Sequence, residues 1–364
     1  MSKTLFVLTF LTLFACAGAL AQDPGSPVEE EALVVTAITV TGNDNTDTAL
    51  VERIMGVKVG DRLDLDGMDA AWDALEDCGY FRFVEMDYDD DGDTVELNVM
   101  VEEDMRTFYG PLVEYSRRHK YRAGAWVEQR NFRGKGETLR GEVGAFYKQD
   151  AMVSWHRPWL FGVDGLDLTV LGFGESAGFV FRPFDYRKYE LGFEPKWTFL
   201  GPLFMLAEAR YGQFQQLDDY TWDLPARGDD SPGGAAYYAE GKDNYWLFRG
   251  GLGVDTRNNP YYPAGGVFGQ IETGRWSSNE FDSYNQFIAD ARVFVPMPWK
   301  KHVLAMRAWG RQVDGPAHLD NLLYFGGPET IRGYPYASRE GDNGYLLSAE
   351  YRMPLFLMPI SPQG

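Results

Sequence analysis

Side chains that could carry out acid–base or metal chemistry are scattered along this sequence. No two of its histidines have the i, i+4 spacing of a helical zinc site. They are His119, His156, His302 and His318. The only cysteines are Cys16 and Cys78, and removal of an N-terminal leader would leave Cys78 alone. A hydrolase would need the fold to bring a serine or aspartate next to a distant histidine. We therefore predict no enzymatic activity, no cofactor and no metal site.

An acidic turn is the segment that comes nearest to a metal-binding loop. Asp87-Tyr88-Asp89-Asp90-Asp91-Gly92 begins like a calcium loop, with alternate carboxylates followed by a glycine. The twelfth position is Asn98 instead of a bidentate glutamate, and the flanking segments have strand patterns. A solvated hairpin turn is the favoured interpretation.

The negative charge of the chain is concentrated towards its N-terminus. The 364 residues have a net charge of −20, and residues 22–106 contain 24 acidic and 5 basic residues, net −19. Residues 107–364 are nearly neutral, with 30 acidic and 28 basic residues. This boundary predicts two domains. Because no basic patch compensates the acidic part, we predict no nucleic-acid partner.

The first residues have the pattern of an export signal. Lys3 precedes an apolar stretch from Leu5 to Leu13, and Ala19-Leu20-Ala21 provides a small-x-small cleavage site. The apolar stretch is shorter than the roughly 20 residues that span a membrane. We predict a signal peptide over residues 1–21 and an acidic linker over residues 22–33.

From residue 107 onward, segments of about ten residues alternate apolar with polar or small side chains. In residues 188–199, Tyr189 and Leu191 fall on one face and Lys188 and Glu190 on the other. Long alternating strands in an exported, aromatic-rich chain favour an antiparallel membrane β-barrel over a soluble sandwich. The predicted strands begin near residues 107, 121, 137, 149, 166, 184, 204, 243, 264, 281, 301 and 343. Residues 218–242 and 314–342 are the expected extracellular loops, and residues 134–136 an expected periplasmic turn or tight loop.

Residues 34–104 have a different pattern: strand, helix, helix, strand, strand. Thr46 is positioned to cap the first helix. Leu65, Met68, Trp72 and Leu75 form one stripe of the second helix. The pattern predicts a small α+β module that ends in a hairpin. The expected hairpin strands are Phe81–Tyr88 and Thr94–Val101.

One motif resembles a known family. The segment Phe325-Gly326-Gly327-Pro328-Glu329-Thr330-Ile331-Arg332-Gly333-Tyr334 precedes an amphipathic strand that contains Glu350. It resembles the outer-membrane assembly factors of the BamA and TamA type, whose sixth extracellular loop carries an (Ile/Val)-Arg-Gly-(Tyr/Phe) tip inside the barrel. The resemblance implies a loop lock formed by Ile331, Arg332, Gly333, Tyr334 and Glu350. A guanidinium–carboxylate bond could hold such a loop in place.

Further segments resemble the same family in the same order. They are residues 128–136, 156–162, 255–257 and 263–266 in the strand region. The N-terminal module, residues 34–104, resembles a POTRA domain, the periplasmic repeat of this superfamily, in Ile38-Thr39-Val40-Thr41-Gly42-Asn43 and Gly79-Tyr80-Phe81. The predicted architecture is thus a small α+β POTRA domain followed by a membrane β-barrel over residues 107–364.

The resemblance implies an outer-membrane barrel that inserts or translocates outer-membrane proteins, with its POTRA domain in the periplasm. The POTRA domain would capture unfolded clients by β-augmentation, and the first barrel strand, Thr107–Arg118, would form part of a weakened seam. The expected partners are outer-membrane lipid and unfolded outer-membrane protein clients, with periplasmic chaperones or accessory subunits as further candidates.

Two other functions stay open at this stage. The chain could form a secretion pore or passive channel with charged residues of the polar face lining its lumen. The lumen-lining candidates are Lys188, Glu190, Asp290, Arg292 and Arg307. It could also act as a surface antigen or adhesin through loop 218–242.

The sequence departs from the family pattern in two respects. A single POTRA module is recognisable, and about 12 strands are counted where the family barrel has about 16. We expect an incomplete barrel, and the alternative is a smaller barrel that closes its first strand on its twelfth.

Overall fold

The computed structural model describes residues 32–116, 120–178, 185–217, 242–299, 301–315, 317–318, 321–327, 330–335 and 338–354. The predicted signal peptide, nearly all of the linker and nearly all of loop 218–242 lie outside these residues. The described residues form two compact units, one of residues 32–158 and 169–178 and the other of residues 159–168 and 185–354. Neither helix of eight or more residues in the described ranges is long and apolar enough to cross a membrane.

The first unit begins with an α+β module built on a four-stranded sheet. The strand order is β2-β1-β4-β3, with β1 parallel to β4 and the other pairs antiparallel. Its edge strands are the two-residue β2 on one side and β3 on the other. The elements are β1 (Leu33–Thr41), α1 (Thr48–Met55), β2 (Arg62–Leu63), α2 (Leu65–Asp77), β3 (Phe81–Asp90) and β4 (Thr94–Glu103).

Each of the two helices begins at an aspartate. Asp47 has extended backbone angles, and its side chain accepts a hydrogen bond from the backbone N–H of Ala49 at 3.2 Å. Asp64 likewise accepts one from Gly67 N at 2.8 Å. The prediction that Thr46 caps α1 is wrong, because Asp47 occupies the cap position, and the Thr46 hydroxyl donates to Glu103 at 2.6 Å.

The helices and the sheet enclose one hydrophobic core. Val95, Leu97, Val99 and Val101 alternate along β4 and are buried against the helices, where Leu75 of α2 is fully buried. The opposite residues of β4 are exposed. This alternation leaves the outer face of the sheet, away from the helices, uncovered by the described residues of the module.

Twelve long strands form one antiparallel sheet in the order β18-β15-β14-β13-β12-β11-β10-β9-β8-β7-β6-β5. Each begins within three residues of its predicted start, and the predicted fold class is confirmed. The strands are β5 (Thr107–Ser116), β6 (Lys120–Phe132), β7 (Glu137–Phe146), β8 (Lys148–Arg157), β9 (Leu166–Gly178), β10 (Asp185–Phe199), β11 (Leu203–Gln216), β12 (Lys242–Asp255), β13 (Gly266–Ser278), β14 (Tyr284–Pro296), β15 (Val303–Val313) and β18 (Gly344–Arg352). Between β15 and β18 lie two short paired strands, β16 (Leu323–Phe325) and β17 (Arg339–Gly341).

The two faces of this sheet differ as the alternation predicts. Large apolar side chains are exposed on one face, including Tyr189 at 50% and Leu347 at 82%. Charged side chains on the other face are buried, including Glu208 at 4% and Asp290 at 9%. A soluble sandwich would have the reverse arrangement, whereas a membrane barrel places its apolar face towards lipid.

The core position of Leu75 generates a prediction for the N-terminal module. We expect Leu75→Ala to destabilise the module by about 2–5 kcal/mol, because truncation leaves a cavity in a closely packed core. Hydrogen–deuterium exchange of the full chain in detergent would then be faster in residues 33–104 and unchanged in β10–β15. The exposed Asp73→Ala on the same helix is the matched control. Equal exchange in the two variants would contradict the assignment of this core.

Candidate functional site

The loop tip predicted from the motif is a compact turn between β16 and β17. Gly327 N donates to Tyr334 O at 3.1 Å, which brings the two ends of the turn together. Gly333 has a φ of 86°, in the left-handed region that favours glycine. The turn presents the side chain of Arg332 towards β18.

The structure brings Arg332 and Glu350 together. Arg332 Nη2 lies 2.8 Å from Glu350 Oε1, and Arg352 Nη2 lies 3.5 Å from Glu350 Oε2. The side chain of Arg332 is 72% exposed and that of Glu350 36%, so water reaches both members of the pair. The reason is a cavity of about 930 Å³ that opens between the loop tip and the polar face of β14, β15 and β18. An ion pair with this exposure contributes at most about 1 kcal/mol.

The base of the same loop is held more firmly than its tip. His318 is 1% exposed, and its Nδ1 accepts a hydrogen bond from Trp276 Nε1 at 3.1 Å. Asn321 Nδ2 donates to Tyr284 Oη at 2.5 Å, and Arg311 Nη1 donates to Asn321 O at 2.6 Å. These contacts could not be predicted from local sequence patterns, because the loop residues meet β13, β14 and β15 only in the folded chain.

Two groups of residues, one in the second unit and one in β9, contain the residue types of a hydrolase active site. Asp243 Oδ2 lies 3.4 Å from His318 Nδ1, but the nearby Ser278 hydroxyl donates to Asp243 and not to the histidine. Gly174-Glu175-Ser176-Ala177-Gly178 has the spacing of a nucleophile turn, yet it lies within β9 and not at a strand-to-helix turn. Neither arrangement pairs a serine hydroxyl with a histidine base.

The five lumen-lining candidates form two groups on the polar face. Lys188 Nζ lies 3.1 Å from Glu190 Oε1, and both belong to β10. Asp290 accepts hydrogen bonds from Arg292 at 2.6 Å and from Arg307 at 2.8 Å. The residues are therefore ion-paired within each group instead of standing singly, and the Asp290 group keeps a net charge of +1.

Sequence reasoning missed the charged residues that lie between these two groups. Arg210 lies 2.6 Å from Glu208 and 3.5 Å from Glu190. Arg249 contacts Glu208 and lies 3.0 Å from Glu272. These ion pairs extend from β10 to β13, so the buried carboxylates have cationic partners, as burial of charge requires. The alternation of β11, β12 and β13 contained the signal that could have identified them.

A second network joins the N-terminal module to the turn between β6 and β7 within the first unit. The Glu103 carboxylate accepts from Asn45 N at 2.9 Å and from the Thr46 hydroxyl at 2.6 Å. Thr46 in turn accepts from the buried Asn131 Nδ2 at 2.8 Å. At Gly134, which has a φ of 72°, an added Cβ would lie 2.1 Å from Asn45 O. We call this set of contacts the junction network, and the sequence did not predict it.

A family model described as the Omp85 superfamily domain matches residues 131–362. The chain belongs to the Omp85 superfamily. A POTRA model, described as a surface antigen variable number repeat, matches residues 33–104. The predicted resemblance to this superfamily is therefore confirmed, and an outer-membrane location follows from membership of it.

Solved structures agree with this assignment. BamA from Haemophilus ducreyi lacking POTRA domains 1–3 has a TM-score of 0.66 and 18% identity, over 84% of this chain and 61% of that chain. CdiB from Acinetobacter baumannii has a TM-score of 0.56 and 14% identity, over 88% and 60%. CdiB from Escherichia coli has a TM-score of 0.51 and 12% identity, over 98% and 84%. This Omp85 chain spans about three fifths of the length of the first two. A search of curated protein sequences gives no significant match.

Because the Arg332–Glu350 pair is exposed, breaking it should have only a small effect on the protease sensitivity of the loop. We expect Arg332→Ala to raise the rate of protease cleavage within loop 314–342 by no more than about fivefold, because the lost pair is worth about 1 kcal/mol. Mass spectrometry of the full chain in detergent after limited proteolysis measures this rate. Arg339→Ala removes the same charge from the same loop and is the control. An unchanged rate would contradict a restraining role for the pair.

The junction network predicts a pH dependence. Burial would raise the pKa of Glu103, but hydrogen bonds from Thr46 and Asn45 outweigh burial and hold this pKa below its usual value of 4.5. The stabilisation is therefore fully present above pH 4.5 and is lost as pH falls through the lowered pKa. Hydrogen exchange at residues 45–47, corrected for intrinsic rates, is expected to rise in acid. The Glu103→Gln variant should show no such rise. A rise in this variant as large as in the native chain would contradict the assignment of Glu103 as the titrating group.

Proposed function

We propose that this Omp85 chain inserts outer-membrane proteins, with its POTRA domain in the periplasm capturing clients by β-augmentation. The observation that supports this most directly is the unpaired side of β3. Within the described residues, no strand pairs with β3 on the side away from β4. An exposed sheet edge is a template for an extended peptide.

The hairpin turn indicates which backbone groups of β3 face this edge. Asp91 N donates to Thr94 O, and hydrogen-bonded pairs alternate along an antiparallel ladder. With the observed register, the N–H and C=O groups of Val84, Met86, Tyr88 and Asp90 are directed away from β4. Trp72 Nε1 donates to Val84 O, which covers one end of this row. Met86, Tyr88 and Asp90 would supply the groups that bind a client strand.

The barrel would provide the exit route for the client. β5 stands at one end of the sheet order and contains Pro111, which has no N–H to donate. On its apolar face Tyr109 is 80% exposed and Val113 is 77% exposed, as expected for side chains that contact lipid. In this proposal β5 forms part of the seam through which a client strand passes into the membrane.

The loop tip and the polar face have distinct roles in the proposal. Ile331, Arg332, Gly333 and Tyr334 would dock against Glu350 and restrain the loop within the barrel. The ion-paired residues Lys188, Glu190, Asp290, Arg292 and Arg307 would line the lumen. Outer-membrane lipid and unfolded outer-membrane proteins are the proposed partners, together with periplasmic chaperones or accessory subunits that deliver the clients.

A secretion pore or passive channel is the alternative, since a polar face with charges of both signs is typical of a water-filled lumen. Bilayer conductance and client folding, measured on the same preparation, separate the two functions. We expect the full chain in liposomes to accelerate the folding of a small barrel client and to give little steady current. A steady current without accelerated folding would overturn the proposal in favour of the pore.

A proline substitution tests the capture step. We expect Tyr88→Pro to lower the rate of assisted client folding, because proline removes a backbone donor that faces the open edge. Tyr88→Thr is the matched control, since it removes the ring but keeps the N–H. Circular dichroism and hydrogen exchange of both variants check that the POTRA domain is folded. Equal rates for two folded variants would show that β3 does not bind the client.

A further inference from the structure

A row of carboxylates lies beside the open edge of the POTRA sheet. Glu85, Asp87 and Asp89 alternate along β3 and are exposed on the outer face of the sheet, away from the helices. Within the described residues none of the three has an ion-pair partner, and the nearest polar contact is Asn98 Nδ2 at 3.4 Å from Asp89 Oδ2. We call these three residues the acidic row.

The neighbouring strand does not neutralise the acidic row. Glu96 of β4 is paired in register with Asp89, which places two carboxylates side by side. Like charges on directly opposite residues are destabilising in a sheet. The one cation on β3, Arg82, is already paired with Glu102. A strand added on the other side of β3 could therefore supply the missing positive charge.

The remaining side chains of the edge define the rest of the partner. Met86 and Tyr88 point to the helix side of β3, and Tyr88 is 46% exposed there. The register shift between Phe81 and Phe83 turns Phe83 to the outer face, where it is 51% exposed beyond the end of the acidic row. A strand added here meets apolar groups on one face and carboxylates on the other.

We infer that the edge of β3 selects extended client segments that carry lysine or arginine at alternate positions on one face and apolar residues on the other. This inference rests on the proposed capture function and adds the chemistry of the segment that is captured. Its basis is geometric: added strands place side chains opposite those of the edge strand, so the acidic row faces the client's residues at two-residue intervals.

Two labelled ten-residue peptides provide the probes, one alternating valine with lysine and one alternating valine with glutamate. Fluorescence anisotropy measures their binding to the full chain in micelles of uncharged detergent, at low ionic strength where exposed charges are weakly screened. We expect the lysine peptide to bind about tenfold more tightly than the glutamate peptide, since three cross-strand charge pairs add their contributions.

Two variants with equal charge separate local pairing from general attraction. The combination of Glu85→Gln, Asp87→Asn and Asp89→Asn neutralises the acidic row and should remove the preference for lysine. The combination of Asp69→Asn, Asp73→Asn and Glu76→Gln removes the same charge from the exposed face of α2 and should retain the preference. Loss of the preference in both variants would overturn the inference, because it would show attraction to the whole domain instead of pairing at the edge.

The Tyr88→Pro variant separates failure of this inference from failure of the proposed function. If Tyr88→Pro weakens the binding of both peptides and they bind the native chain equally, capture at the edge stands and the selection by charge is wrong. If neither peptide binds, or if Tyr88→Pro leaves the binding of the lysine peptide unchanged, strand addition at β3 is wrong as well. Weakened lysine-peptide binding in Tyr88→Pro, together with the expected variant pattern, supports the inference.

Discussion

The pairing of long antiparallel strands in a fixed register is the constraint on which the rest of the structure depends. A slip of one residue would exchange the two faces of a strand and move its charged side chains from the ion-paired face to the apolar one. The observed register places Glu208 directly opposite Arg249. It also places Arg292 opposite Arg307, a like-charge pair that is acceptable only because Asp290 binds both guanidinium groups. The arrangement of charges and the register therefore specify each other.

The same register explains a small residue within a strand. Gly212 is paired with Tyr245, and a Cβ at Gly212 would lie 2.2 Å from the tyrosine ring. The absence of that Cβ lets the ring lie across β11, where its hydroxyl donates to Glu190 Oε1 at 2.5 Å. A glycine weakens an isolated strand, but here it makes room for a buried aromatic ring that completes the surroundings of a buried carboxylate.

Alternation and turn residues were sufficient to predict the twelve long strands, together with the two helices and three longer strands of the POTRA domain, because both signals are local. The two-residue strand β2 between the helices and the short strands β16 and β17 were not predicted. These local signals also did not identify partners across strands. Glu208 and Arg210 lie on the polar face of one strand, yet their significance emerges only when β10 and β12 are beside them. The junction network was missed for the same reason, since Asn131 and Thr46 are 85 residues apart. Even the cap of α1 was misassigned: Asp47 caps the helix, and the Thr46 hydroxyl donates to the distant Glu103 and accepts from Asn131.

The contacts of loop 314–342 divide its stabilisation unequally between base and tip. At the base, His318 is enclosed by Trp276 and Tyr284, and removal of such buried contacts would leave polar groups without partners. At the tip, the exposed Arg332–Glu350 pair stabilises the docked loop by about 1 kcal/mol of free energy. Undocking the tip loses only this contribution from the pair. A loop built in this way keeps its base in place while its tip changes position at small energetic cost. Under the proposed function, in which a client strand passes through the barrel, the weak pair would permit movement of the tip without loss of the contacts at the base.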